Sequence, residues 1–170
     1  MAFIEFGSTV LSFATSDDLR ELDRRLFEQN EGLDDDYLDD QLVRSTARVL
    51  SLLRATDWWQ QYYMTMSTSG QPINTAADIP PLDPALIQAR QDDFTDLTCY
   101  YALFNYILPH VADFSNADSA EVKKMGYYEQ KYNGLFGELI VAGDWYNFDD
   151  GSTITSAEKM PGVSNLRRVR

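Results

Sequence analysis

Residues 34–54 read DDDYLDDQLVRSTARVLSLLR, and this stretch decides the fold class. Leu38, Leu42, Val43, Thr46, Val49, Leu50 and Leu53 recur at helical spacing and form one long apolar stripe. Arg44, Arg48 and Arg54 fall on the other side. The acids at its start favour a helix N-terminus, where the backbone dipole is positive. The stretch therefore predicts a long amphipathic helix that buries one face.

Working outward, the same period recurs. Upstream, Leu19, Leu22, Leu26 and Phe27 share a helical face, opened by Thr15-x-x-Asp18 in the manner of a capping box and closed at Asn30-Glu31-Gly32. Downstream, Thr56-Asp57 marks a kink or restart before the aromatic run Trp58-Trp59-Gln60-Gln61-Tyr62-Tyr63. Residues 67–84 hold Pro72, Pro80, Pro81 and Pro84 among Ser, Thr, Gly and Asn, and read as a long loop. A third helix is expected from Pro84 to Leu108, carried by Leu86, Ile87, Phe94, Leu97, Tyr101, Phe104 and Leu108, with Pro109 as its stop. A fourth runs from about Asp118 to Ala142 through Val122, Met125, Tyr128, Tyr132, Phe136 and Leu139; Gly126, Gly134 and Gly137 weaken it or permit close packing. Residues 1–14 read as a short strand or extended segment.

The expected fold is all-α: a four-helix bundle over residues 1–142, with an extended N-terminal segment and a long non-helical C-terminal arm, 143–170. A chain of 170 residues is long enough to bury a core without disulfide or metal staples. The lone Cys99 cannot pair within the chain and reads as a buried, inert thiol in a reducing compartment. No stretch is apolar enough to span a bilayer, and the N-terminal residues lack the basic region of a signal peptide.

The net charge of −13 lies wholly in residues 1–142, which hold 23 acids and 10 bases. Such a body repels nucleic acid and is a poor sequence reader. The arm is neutral but divided: residues 143–158 carry four acids and no base, and residues 159–170 carry four bases and no acid. Trp145, Tyr146, Leu166, Arg167, Arg168, Val169 and Arg170 are its candidate partner-binding residues, with the arginines suited to charge-assisted pairs on an acidic surface.

Enzyme chemistry finds little to stand on. The single His110 excludes most zinc sites and the usual His-dependent nucleophile systems within one chain, and no phosphate-binding glycine loop is present. Asp34, Asp35, Asp36, Asp39 and Asp40 invite a metal reading, but one helical turn supplies too few converging oxygens, and acids there suit the helix dipole. A hydrolase combining them with Asp92-Asp93 ranks last. Residues 147–158, NFDDGSTITSAE, fit a degenerate EF-hand loop with Asn147, Asp149 and Glu158 at positions one, three and twelve. Gly151 replaces an acid and Ser152 replaces the turn glycine, so a calcium-responsive binding module is the alternative reading.

The segment DLRELDRRLFEQNEGLDDDYLDDQLVRSTARVLSLLRATDWW, together with the terminal FDDGSTITSAEKMPGVSNLRRVR, resembles head-tail adaptor (connector, neck) proteins of tailed bacteriophages. The likeness is strongest over residues 17–59 and 143–170. It implies a non-enzymatic structural virion protein of the neck, made in the host cytoplasm, without cofactor or membrane. It implies a ring of about twelve copies that joins the capsid portal to the next neck or tail component. DNA would pass through the ring without sequence recognition. The arm would dock on the portal through Arg167, Arg168 and Arg170, and Asp34, Asp35, Asp36, Asp39 and Asp40 would line the channel.

Overall fold

The computed structural model describes residues 4–6, 9–30, 32–66, 79–115, 119–148 and 153–159. The described residues are mostly helical, with one small sheet. The N-terminal segment forms an antiparallel hairpin, β1 (Ile4–Phe6) and β2 (Thr9–Ser12). It is followed by α1 (Ser16–Leu22), α2 (Arg24–Gln29), α3 (Asp35–Arg54) and α4 (Asp57–Met66). A 3-10 turn, Pro84–Leu86, leads to α5 (Gln91–Ala102). α5 passes through a π turn, Leu103–Ile107, into α6 (Leu108–Val111). The chain continues with α7 (Ala120–Ala142) and the short α8 (Ser156–Lys159). None of the described helices is long and apolar enough to cross a membrane.

α3 forms as its stripe requires. Asp34 caps it by accepting the Tyr37 N–H at 2.9 Å, and Leu38, Leu42, Val49 and Leu53 are fully buried. Thr46 and Thr95 are buried polar residues with a purpose. The Thr46 hydroxyl oxygen accepts the Phe13 N–H at 3.2 Å, and the Thr95 hydroxyl donates to the Phe13 carbonyl at 2.8 Å. The buried backbone where β2 leaves the hairpin is thereby satisfied from α3 and α5.

The helix expected over residues 15–29 begins at the Thr15/Asp18 capping box but is two helices, broken at Asp23. Asp23 caps α2 by accepting the Leu26 N–H at 3.3 Å. Its carboxylate also takes the Lys124 ammonium at 2.7 Å and the Tyr128 hydroxyl at 3.3 Å, both from α7. A buried carboxylate needs such partners, and a break in the helix is what turns it toward them.

The third expected helix also differs. Only a 3-10 turn forms at Pro84, α5 begins at Gln91, and Pro109 does not stop the helix. Proline lacks an N–H and crowds the carbonyl four residues back. The π turn widens the backbone just ahead of it, and helical structure continues to Val111.

α5 with its π turn serves two adjoining hydrophobic clusters. Phe94, Leu97 and Tyr101 join Phe13, Val49, Leu53, Trp59, Leu139 and Trp145 in one. Cys99, Ala102, Leu103, Ile107 and Leu108 join Leu19, Leu26, Leu38, Leu42 and Tyr128 in the other. Burial, and then the charges of Asp18 and Asp96, push the Cys99 thiol well above its ordinary range, consistent with an inert core cysteine. Among the described residues the α7 glycines do not serve close packing: a Cβ on Gly126, Gly134 or Gly137 would meet open space.

Candidate functional site

The candidate site is the root of the C-terminal segment, where the chain leaves α7 and folds back on the body. Gly143 ends α7 in the left-handed region, φ +58°, and its N–H donates to the Leu139 carbonyl at 3.0 Å. The next residues dive inward. Trp145 is fully buried and donates its indole N–H to the same carbonyl at 2.9 Å. Tyr146 pairs with Ile87 in an isolated antiparallel bridge, while the Gln88 N–H donates to the Trp145 carbonyl at 3.1 Å and the Asn147 N–H to the Leu86 carbonyl at 3.0 Å. The Tyr146 hydroxyl oxygen accepts the Asp83 N–H at 3.2 Å.

An aromatic floor receives this segment. Trp145 lies 4.8 Å from Trp58 and 4.9 Å from Phe94, ring centre to ring centre. Tyr146 meets Trp59 edge-on at 4.9 Å, and Phe148 stacks on Tyr62 at 3.6 Å. Such ring pairs add about 0.5–1.5 kcal/mol each beyond the area they bury. Burial pushes the Tyr146 phenol up, and it pushes Tyr63 up to about 12.

Two polar devices hold the fold-back. Arg90, itself in the left-handed region at φ 58°, pairs with Asp93 at 2.7 Å, Glu138 at 2.8 Å and Asp144 at 3.7 Å. It thus ties the start of α5 to the end of α7 and to the residue after Gly143; the hydrogen bond to Glu138 is the main reason its pKa rises. The second device is Glu158, which is buried. One carboxylate oxygen accepts the Phe148 N–H at 2.8 Å, and the other accepts the Thr155 N–H and hydroxyl at 2.6 Å each. Trp58 then donates its indole N–H to the Lys159 carbonyl at 3.2 Å.

This geometry changes the reading of the expected site residues. Trp145 and Tyr146 are core residues with 0% and 2% exposure, so they offer no docking surface in the folded chain. The fold-back continues through Phe148, so residues 143–148 belong with the helical body. Leu166, Arg167, Arg168, Val169 and Arg170 lie outside the described residues, as does Asp149. Asn147 is fully buried, and Glu158 is held by N–H and O–H donors; a cation there would have to displace them. Among the described residues, no group of three or more His, Cys, Asp or Glu side chains could hold a metal ion.

Asp34, Asp35, Asp36, Asp39 and Asp40 are all exposed on the first turns of α3. Asp34 is the cap, and Asp35 pairs with Arg20. None of the five lines the groove that holds Asp92. Asp92 lines a groove of about 310 Å³ with Asp18, Glu21, Leu22, Thr95 and Asp96, while Asp93 faces Arg90. Arg90 and Glu158 were not foreseen as anchoring residues. The i,i+3 spacing of Arg90 to Asp93 was the visible signal for the first, and Thr155-x-x-Glu158 as a capping pair was the signal for the second.

No protein-family model, curated protein or solved structure matches this chain.

Proposed function

We propose that the chain is a structural subunit of a tailed-phage neck, an adaptor ring between the capsid portal and the tail that extends the DNA channel. The finer fold expectation belongs to this proposal: the helical segments of residues 1–142 act as one bundle, repeated about twelve times around the ring. The observation that carries the reading is the anchored root. Trp58, Gly143 and Glu158 fix the point at which the chain passes Lys159. A basic segment tethered at a set place on an acidic body suits docking on an acidic partner. In this reading the docking arm begins after Lys159 rather than at Gly143. Residues 160–170 would reach at most about 36–40 Å when extended. Leu166, Arg167, Arg168, Val169 and Arg170 would make the portal contact, with Asp34, Asp35, Asp36, Asp39 and Asp40 facing the channel.

The test is electron microscopy of particles assembled with the full chain and with residues 160–170 deleted. The full chain should form a ring at the neck, and the deletion should fold normally yet fail to dock. Normal docking of the truncated chain would remove the arm from the proposal, and the absence of any ring would remove the adaptor reading.

A further inference from the structure

α7 presents its core side through Tyr128, Tyr132 and Leu139. Its opposite side carries a heptad pattern. Tyr127, Gly134 and Val141 are spaced seven residues apart, so on a 3.6-residue helix they drift only about 20° per step. Gln130 and Gly137 fall between them, and all five are exposed. Val141 is 78% and Tyr127 54% exposed, and the Tyr127 ring also meets Tyr128 of its own helix at 5.2 Å. Each glycine weakens the helix relative to alanine. Among the described residues nothing asks for glycine at 134 or 137, where an added Cβ would meet open space.

We propose that this face of α7 pairs with the same face of a second copy, antiparallel, about a two-fold axis at Gly134. The positions are self-complementary about that residue. Tyr127 and Val141 lie seven residues to either side, so each would cover the other's counterpart. Beside them, Lys131 and Glu138 occupy equivalent heptad flanks, and antiparallel pairing sets Lys131 of each copy against Glu138 of the other. Parallel pairing would instead set Lys131 near Gly126 or Asn133 and lose that match. Within its own chain, Lys131 sits over the Tyr127 ring at 5.6 Å, and Glu138 keeps Arg90 at 2.8 Å while remaining exposed. Both charges are therefore held beside the stripe. Gly134 at the crossing and Gly137 beside it let the two backbones approach closely.

An isologous contact of this kind closes on itself as a pair, whereas a ring needs head-to-tail contacts. The inference does not rest on the neck reading, and the two fail separately. The test uses the full chain. Sedimentation should show self-association of the wild type at tens to hundreds of micromolar. Gly134→Leu should abolish it while thermal unfolding is preserved or raised, since the site is open within the chain. Cys99 is buried and is the chain's one cysteine, so Gly134→Cys supplies a single accessible thiol. It should cross-link to itself under mild oxidation, whereas Glu129→Cys, on the flank of the helix, should not. A wild type that stays monomeric, an association that survives Gly134→Leu, or equal cross-linking from Glu129→Cys would overturn the proposal. A large assembly untouched by Gly134→Leu would speak for ring contacts alone.

Discussion

Trp58 and Lys159 are separated by 101 residues and joined by one hydrogen bond, from the indole N–H to the Lys159 carbonyl at 3.2 Å. Gly143 lies directly beneath that contact: a Cβ there would run into the Lys159 carbonyl oxygen and stand 2.8 Å from the Trp58 nitrogen. Gly143→Ala should therefore destabilise the protein by about 1–3 kcal/mol, through backbone strain at positive φ together with the clash. Urea unfolding followed by tryptophan fluorescence measures this. Unchanged stability would mean that Lys159 does not sit over the turn.

Glu158 closes the same region from the other side. Glu158→Gln keeps the shape but removes the charge that the Phe148 N–H and the Thr155 N–H and hydroxyl face. The expected loss is about 1–3 kcal/mol, the usual range for a buried charge-assisted network. The near-ultraviolet circular dichroism of the Trp58/Trp145 pair should change with it. Calcium titration of the wild type should give no heat. Saturable binding would show that the carboxylate can leave its N–H partners.

The buried phenols set an alkaline limit. An unfolded tyrosine ionises near 10, whereas burial raises Tyr63 to about 12 and raises Tyr128, Tyr132 and Tyr146 as well. A folded pKa above the unfolded one gives stability that is complete below about pH 10 and is lost as pH rises through about 12. Unfolding and the last rise of tyrosinate absorbance, from these four phenols, should coincide in that window. Ionisation of all ten tyrosines near pH 10 with the fold intact would contradict the packing.

Asp96 is shifted in the same direction, but from the acidic range of a carboxyl group. It lines the α1–α5 groove, where loss of water, then Asp93, Asp92 and Asp18, raise its pKa. Its protonated form suits the fold, so its contribution is favourable in acid and disappears as pH rises through the folded pKa. Asp96→Asn should stabilise the protein at pH 7, by less than about 1 kcal/mol because the residue is solvent-exposed and screened. The gain should vanish when the melts are repeated in acid. A loss of stability at pH 7 would refute the repulsion.

How much could be read beforehand depended on whether the cause was local. α3 was legible because its cap, Asp34, and its apolar stripe lie within one stretch of chain. The Thr15/Asp18 capping box was legible for the same reason. The break at Asp23 was not, because its partners Lys124 and Tyr128 lie over 100 residues away. Trp145 and Tyr146 looked like arm residues because acids surround them in sequence. Only the distant floor of Trp58, Trp59 and Phe94 makes them core. For the candidate site, the sequence reading placed residues 143–148 in the C-terminal arm, since no local pattern distinguishes a buried fold-back from an exposed one.

The π turn at Leu103–Ile107 bears on which length changes the chain can tolerate. A π turn holds one residue more than the α-helical turn it replaces. Removing a single residue there would restore regular helix and leave both flanks facing their own clusters, at the cost of the space that accommodates Pro109. The same deletion within Gln91–Ala102 would rotate everything beyond it by about 100° and turn one cluster's side chains toward solvent. Of all positions along this central helix, the five residues around Asn105 are where a one-residue deletion does least harm to the core.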